Sequence, residues 1–222
     1  MNGRSVKSSM SPRTPQQFRE IREGKKTLIM DVALQQFAGE GYFKTTIDHI
    51  ARHAGISKGL MYNYFESKES LLSAIIQRSV KEIDAYMDIN KDGFLSEEEF
   101  EFFVRRIAQV LKEKQTSWQL LFQLLMQKEV REQFLRPLLG SSSLLRIASE
   151  HREGLLLSGI MKTITDYFQR KKDLKGPSYD PFLELNMFLV SIKGFALTYI
   201  YMEKEDEEYF EKTTNRIIEI YK

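Results

Sequence analysis

The sequence predicts an all-helical protein. Apolar residues return at helical spacing in segment after segment, no stretch sustains the period-two alternation of a strand, and hydroxyl residues stand where helix starts need caps. Residues 1–13 carry Ser, Pro, Arg and Lys with little apolar content, which predicts a flexible basic arm. Thr14-Pro15 joins an N-cap to a proline at the first helical position, so a helix starts there and runs to Gly39 or Gly41. Its apolar face is Ile29, Ala33 and Phe37, at i, i+4 and i+8. Two short helices follow, Thr46 to Ala54 and Ser57 to Tyr64, parted by Gly55, and each opens on a hydroxyl able to cap exposed amides. The next begins near Ser67 and continues past Ile83 toward Met87.

After a polar break at Asp88 to Gly93, helical periodicity resumes at Phe100, Phe103, Val104, Ile107 and Leu111. Trp118 to Leu125 and Leu155 to Phe168 repeat the pattern, and Lys171 to Pro181, with Gly and two prolines, predicts a surface loop. Two last helices are expected at about Phe182 to Glu203 and Glu207 to Tyr221. The organisation expected is an arm at 1–13, a module at 14–72 and a helical C-terminal domain at 73–222.

With 222 residues, 42% hydrophobic and 29% charged, the chain is neither collagen-like nor disordered, and it is long enough for a substantial core. The absence of Cys removes disulfides, thiolate zinc sites and cysteine nucleophiles together, in keeping with a cytoplasmic location. No apolar run of signal-peptide length opens the sequence. The stretch Phe182 to Met202 approaches membrane-spanning length, but Glu184, Asn186 and Lys193 interrupt it, so a buried helix and no membrane partner are expected. The net charge of +2 hides an asymmetry: up to Lys68 there are eleven Lys and Arg against six Asp and Glu, whereas the remainder is net acidic. A basic N-terminal module on an acidic body suggests that the module faces a polyanion.

The two short helices around Gly55 match a helix-turn-helix, whose second helix enters a DNA major groove about 12 Å wide. A generic helical corner would look similar, but local positive charge and a second helix crowded with Ser57, Lys58, Tyr62, Asn63 and Tyr64 argue for DNA. The run Phe37-Ala38-Gly39-Glu40-Gly41-Tyr42, then Thr45-Thr46-Ile47, Ile50-Ala51, Ala54-Gly55-Ile56-Ser57-Lys58-Gly59, Tyr62-Asn63-Tyr64-Phe65, Ser67-Lys68-Glu69 and Leu71-Leu72, closely resembles the N-terminal domain of TetR-family transcriptional repressors. The resemblance covers roughly Lys25 to Leu72. It implies a homodimeric, helical regulator that holds operator DNA until a small-molecule effector enters the C-terminal domain. It further implies phosphate contacts from Thr46, Tyr62, Tyr64 and Lys68, with Ser57, Lys58, Gly59 and Asn63 at or beside base edges. Helix N-termini and hydroxyls suit phosphate, Lys can donate to guanine, and Asn can pair with adenine. Tyr64 stands where the family often has His.

Two motifs nearby are lookalikes. Gly55-Ile56-Ser57-Lys58-Gly59 spells a nucleophile elbow, but a helix precedes it where that chemistry needs a strand. His49 and His53 have zinc-pair spacing, but Ile50 replaces the catalytic Glu. No enzyme is expected.

A second constellation, Asp88 to Glu99, fits a twelve-residue EF-hand loop. Oxygens of Asp88, Asn90, Asp92, the Phe94 carbonyl and a bidentate Glu99 would surround Ca²⁺, with Gly93 at the turn and Ser96 holding a water. A helix stop followed by a Ser96/Glu99 capping box explains Gly93, Ser96 and Glu99 without metal, and leaves Asp88 and Asn90 unexplained. No cofactor is otherwise required.

In the C-terminal domain, aromatic and Met residues at helical spacing are ordinarily core. The family resemblance implies a cavity among them, for which Trp118, Phe122, Met126, Met161, Phe168 and Phe188 are the candidates, suited to an apolar or aromatic effector. The last two helices are the expected dimer interface, through Phe195, Tyr199, Phe210, Ile217 and Tyr221, with Gly194 permitting close approach. The function these features support is a ligand-responsive regulator, a repressor leaving a pseudo-palindromic operator when effector binds. The alternative is a calcium-binding sensor or interaction protein using the 88–99 loop.

Overall fold

The computed structural model describes residues 14–87, 90, 92–132, 156–202 and 206–222, and among these the regular structure is helical. The expected arm at 1–13 lies outside the described residues. The helices are α1 (Pro15–Glu40), α2 (Ile47–His53), α3 (Lys58–Tyr62), α4 (Lys68–Asp84), α5 (Glu97–Glu113), α6 (Gln115–Met126), a single turn α7 (Lys128–Val130), α8 (Leu156–Lys175), α9 (Pro181–Ile200) and α10 (Glu207–Tyr221). Most begin where the caps predict. Thr14, Thr46, Ser57, Ser67, Ser96, Asp180 and Asp206 each accept a hydrogen bond from an amide of the first turn they precede. Those amides have no partner within their own helix. Gly55 (φ +64°) makes the turn between α2 and α3, a backbone conformation that side-chain-bearing residues resist.

Two apolar cores form. The first gathers Ile29, Ala33 and Phe37 of α1, Ile50 of α2, Met61 of α3 and Leu71, Leu72 and Ile75 of α4, and it is completed by Leu121 and Leu124 of α6 and Val130 of α7. The second joins α5, α8, α9 and α10 around Phe100, Phe168, Phe188 and Tyr221. Burying each such side chain contributes about 1.5–3 kcal/mol. Helix α4 passes from one core to the other: Ile75 lies in the first and Ile83 packs on the second. Helix α6 straddles them, since Trp118 packs on both. An Arg78–Asp31 ion pair at 2.7 Å braces α4 against α1.

Two expectations are corrected. The segment expected to be a loop from Lys171 is helical through Lys175, and the turn comes at Gly176 (φ +86°). Lys172 and Lys175 favour the negative end of the helix dipole, and an exposed last helical turn has the composition of a loop. Lys171 itself is buried: its ammonium donates to the Tyr221 carbonyl at 2.9 Å, and desolvation pushes its pKa down. Helix α9 is not buried all round. Leu185, Phe188, Phe195, Ala196 and Tyr199 face inward, while Leu183, Met187, Val190 and Leu197 are exposed. Among the described residues it is the one helix long and apolar enough to cross a membrane, with a third of its apolar window buried inside the protein.

Candidate nucleic-acid interface

Helix α3 presents nearly all its side chains outward. Met61 is its single buried residue, whereas Ser57, Lys58, Gly59, Leu60, Tyr62 and Asn63 are exposed. A short helix with one inward anchor contributes little to packing and leaves a rod of polar groups free for a groove. The Ser57 hydroxyl accepts from the Leu60 amide at 3.1 Å and Thr46 from His49 at 3.1 Å, so both hydroxyls cap their helices. The remaining amides at the α2 N-terminus suit a phosphate. Lys58 stands 4.0 Å from Asp48, too far for a strong pair, and among the described residues no hydrogen bond engages the Asn63 amide group.

Helix α1 holds the far end of α3. A terminal nitrogen of Arg22 donates to the Asn63 carbonyl at 3.2 Å, and the guanidinium lies 5.2 Å from the Tyr64 ring centroid. Tyr64 is therefore half-buried under a cation, while Tyr62 is 48% exposed. Sequence reasoning missed Arg22, because nothing in a linear pattern joins residues forty-one positions apart.

Lys68 departs from its expected role. Its ammonium donates to the carbonyls of Tyr42 (2.9 Å), Thr45 (3.2 Å) and Phe43 (3.4 Å), and sits 4.4 Å from the Tyr42 ring centroid. Three carbonyls occupy all three of its donors, which leaves none for a phosphate. Desolvation pushes its pKa down, partly opposed by Glu69. Lys68 thus fastens the α1–α2 connection to the start of α4. Tyr42 beneath it is buried and donates to Glu69 at 3.2 Å. Burial pushes the Tyr42 phenol well above its usual range, with the Glu69 charge adding to the shift.

His49 and His53 stack at 4.3 Å between ring centroids and are held by Gln36, Glu40 and the His49 carbonyl. The 88–99 loop has the expected turn at Gly93 (φ +76°). Asp88 lies outside the described residues. The Asn90 amide group donates to Asp92 at 3.0 Å, the Asp92 and Phe94 amides donate to Asn90 and Asp92, and Glu99 accepts from the Ser96 amide at 2.9 Å. The Phe94 ring lies 3.9 Å from the Arg170 guanidinium carbon, and Leu95 is buried in the second core. Among the described residues no three His, Asp or Glu side chains gather to hold a metal. The described part of the loop is thus a corner held by its own hydrogen bonds.

An apolar cavity of about 180 Å³ lies between α4, α5, α6 and α9, lined by Ile83, Tyr86, Ile107, Val110, Leu111, Trp118, Phe122, Ile192, Lys193 and Ala196. Trp118 and Phe122 are there as expected; the other pocket candidates are elsewhere. Met126 is 54% exposed, and Met161, Phe168 and Phe188 are packed solid, with 5.8 Å between the Phe168 and Phe188 ring centroids. The expected dimer residues also lie inside the protein. Phe195, Tyr199, Phe210, Ile217 and Tyr221 are all buried, with Tyr199 against Phe210 at 4.6 Å and Phe188 against Tyr221 at 5.4 Å. These rings join α9 and α10 to each other and to the core.

Residues 29–75 match the family described as bacterial regulatory proteins, tetR family. The chain is 46% identical over 52 residues to an uncharacterized HTH-type transcriptional regulator, YuxN of Bacillus subtilis, covering 23% of this chain and 18% of that protein. It is 33% identical over 84 residues to the HTH-type transcriptional repressor KstR2 of Rhodococcus jostii, covering 37% and 41%. The chain thus aligns with less than half the length of these relatives. The overall fold is shared with the fatty acid degradation regulator FadR of Bacillus halodurans (TM-score 0.59, 19% identity, 94% of this chain and 97% of that one). NalD of Pseudomonas aeruginosa, a repressor of a multidrug efflux pump, shares it as well (TM-score 0.61, 16% identity, 90% and 94%). The outward-facing α3, its capped turn and this signature agree: residues 29–75 carry the module of the tetR family of bacterial regulatory proteins.

Proposed function

We propose that the protein is a dimeric transcriptional repressor that holds a pseudo-palindromic operator and releases it when a small apolar effector enters the cavity between α4, α5, α6 and α9. The observation that carries this reading is the exposure of α3, whose Lys58, Tyr62 and Asn63 side chains serve neither core. Thr46 and Tyr62 take phosphates, and Ser57, Lys58, Gly59 and Asn63 face base edges. Tyr64, under Arg22, buttresses them.

The second copy docks on α9. Its exposed Leu183, Met187, Val190, Gly194, Leu197 and Tyr201 follow one another at steps of four and three, the seam of a left-handed helix pair. Nothing lies within 4 Å of where a Gly194 Cβ would stand, so packing inside the chain does not require that glycine. A partner helix approaching closely does. With α10 alongside, two copies make a four-helix bundle.

Coupling runs through α6, which walls the cavity with Trp118 and Phe122 and completes the N-terminal core with Leu121 and Leu124. An effector acts only through its differential affinity for the DNA-competent and released arrangements. Selection of bound duplexes from a random pool by the purified protein tests the reading. An inverted repeat with half-site centres about 34 Å apart, or a multiple, is expected. Failure to enrich any sequence at low ionic strength sinks it.

A further inference from the structure

We infer that the effector is an anionic amphiphile, an apolar ring or short chain ending in a carboxylate, and that Lys193 selects the anion; this rests on the effector-responsive reading above. The cavity supplies the first half of the argument. Its walls offer no exposed polar atom, and at about 180 Å³ it exceeds the roughly 150 Å³ that holds a benzene ring. A single ring or a short alkyl tail fills it, and a strongly polar body has no partner there.

Lys193 supplies the second half. It is the one charged residue lining the cavity, which it meets with its alkyl stem, and it is exposed, so its flexible side chain can carry the ammonium over the opening. The neighbours one turn away on α9, at positions 189, 190, 196 and 197, are Leu, Val, Ala and Leu. Cations on nearby elements are committed: Lys112 to Glu207, Lys114 to Glu82, and Arg106 to Glu113. Arg106 also covers the Tyr86 ring at 4.8 Å and donates to its hydroxyl, which occupies the polar end of the one phenol in the lining. Among the described residues no carboxylate pairs with Lys193. A dry apolar chamber with an uncommitted lysine on its wall, its ammonium within side-chain reach of the opening, is complementary to a tail with a carboxylate head. A charge-assisted hydrogen bond there is worth about tenfold or more in affinity.

The test uses the fluorescence of Trp118, the single tryptophan of the chain and part of the cavity wall. The full-length protein is titrated with 3-phenylpropionate, 3-phenylpropanol and 3-phenylpropylamine, which share a tail and differ in head group. The acid is expected to perturb Trp118 at least about tenfold below the alcohol, with the amine weakest. Lys193→Gln should bring the acid to the level of the alcohol and leave the alcohol unchanged, and Lys193→Arg should retain the preference. Because Lys193 is exposed, neither variant threatens the fold. Equal binding of acid and alcohol, no response to any probe, or an acid preference that survives in Lys193→Gln would overturn the inference. This readout needs no DNA. Operator selection, run separately, therefore shows whether the repressor reading fails or only the effector class.

Discussion

Gln127 and Tyr42 are joined at the edge of the first core: the Tyr42 amide donates to the Gln127 side-chain oxygen at 2.8 Å, while the other arm of the same side chain donates to the Phe37 carbonyl at 2.7 Å. The residue closing α6 thus grips the end of α1 and the connection leading to α2. Gln127→Met keeps the volume and removes both bonds, each worth about 1 kcal/mol, and leaves the half-buried amide and carbonyl without partners. A loss of about 2–3 kcal/mol in urea unfolding is expected, with faster hydrogen exchange at the Tyr42 amide than at interior amides of α5. Unchanged stability and unchanged protection of Tyr42 would show that the link holds nothing.

Lys68 offers a clean separation of two roles. A lysine neutralising one phosphate lowers the slope of log affinity against log salt by about 0.9 when it is removed. With its donors on the carbonyls of Tyr42, Phe43 and Thr45, Lys68 should behave otherwise. Lys68→Met is expected to cost about 1.5–3 kcal/mol of stability and to weaken operator binding without changing that slope. A slope reduced by about one unit at unaltered stability would return Lys68 to the phosphate backbone.

Much of this fold is written in local signals. Thr14, Ser57, Ser96 and Asp206 announce helix starts because capping is decided within four residues, and Gly55 marks the turn for the same reason. Facing is another matter. On α9 nearly every position is apolar, so the sequence carries no contrast to tell Phe195, which packs inward, from Leu197, which does not. Phe168 and Trp118 are alike in composition terms, yet one fills a solid core and the other walls a cavity. That difference arises from how four helices meet. Lys68 was legible as a cation beside the DNA module, but its direction depends on three carbonyls from the α1–α2 connection.

Exposure along α3 divides its residues into readers and grips. Asn63→Ala and Lys58→Ala each remove a side chain free to reach base edges, so each should reduce discrimination between the selected operator and a singly mismatched one by about 1–3 kcal/mol while affecting random DNA much less. Tyr62→Phe removes only a hydroxyl, and the loss should be similar on operator and random duplex. Gel-shift titrations of the three variants on matched, mismatched and random DNA read this directly. Equal losses on every duplex for Asn63→Ala and Lys58→Ala would mean that α3 does not read bases.

The face of α9 makes opposite predictions for neighbouring residues. Leu197 is exposed on the four-and-three seam and Phe195 is buried against Phe210, with 5.3 Å between ring centroids. Leu197→Glu places a charge in the proposed interface and nothing in the core. It should leave the protomer folded, shift the species seen by light scattering from dimer to monomer, and abolish binding to the full operator, because a single half-site contact forfeits the partner's contribution. Phe195→Ala opens a cavity instead, with about 3–5 kcal/mol lost from stability. Its association should be retained where the protomer stays folded. A Leu197→Glu protein that remains dimeric would place the second copy on another surface, and then the glycine at 194 would need a different explanation.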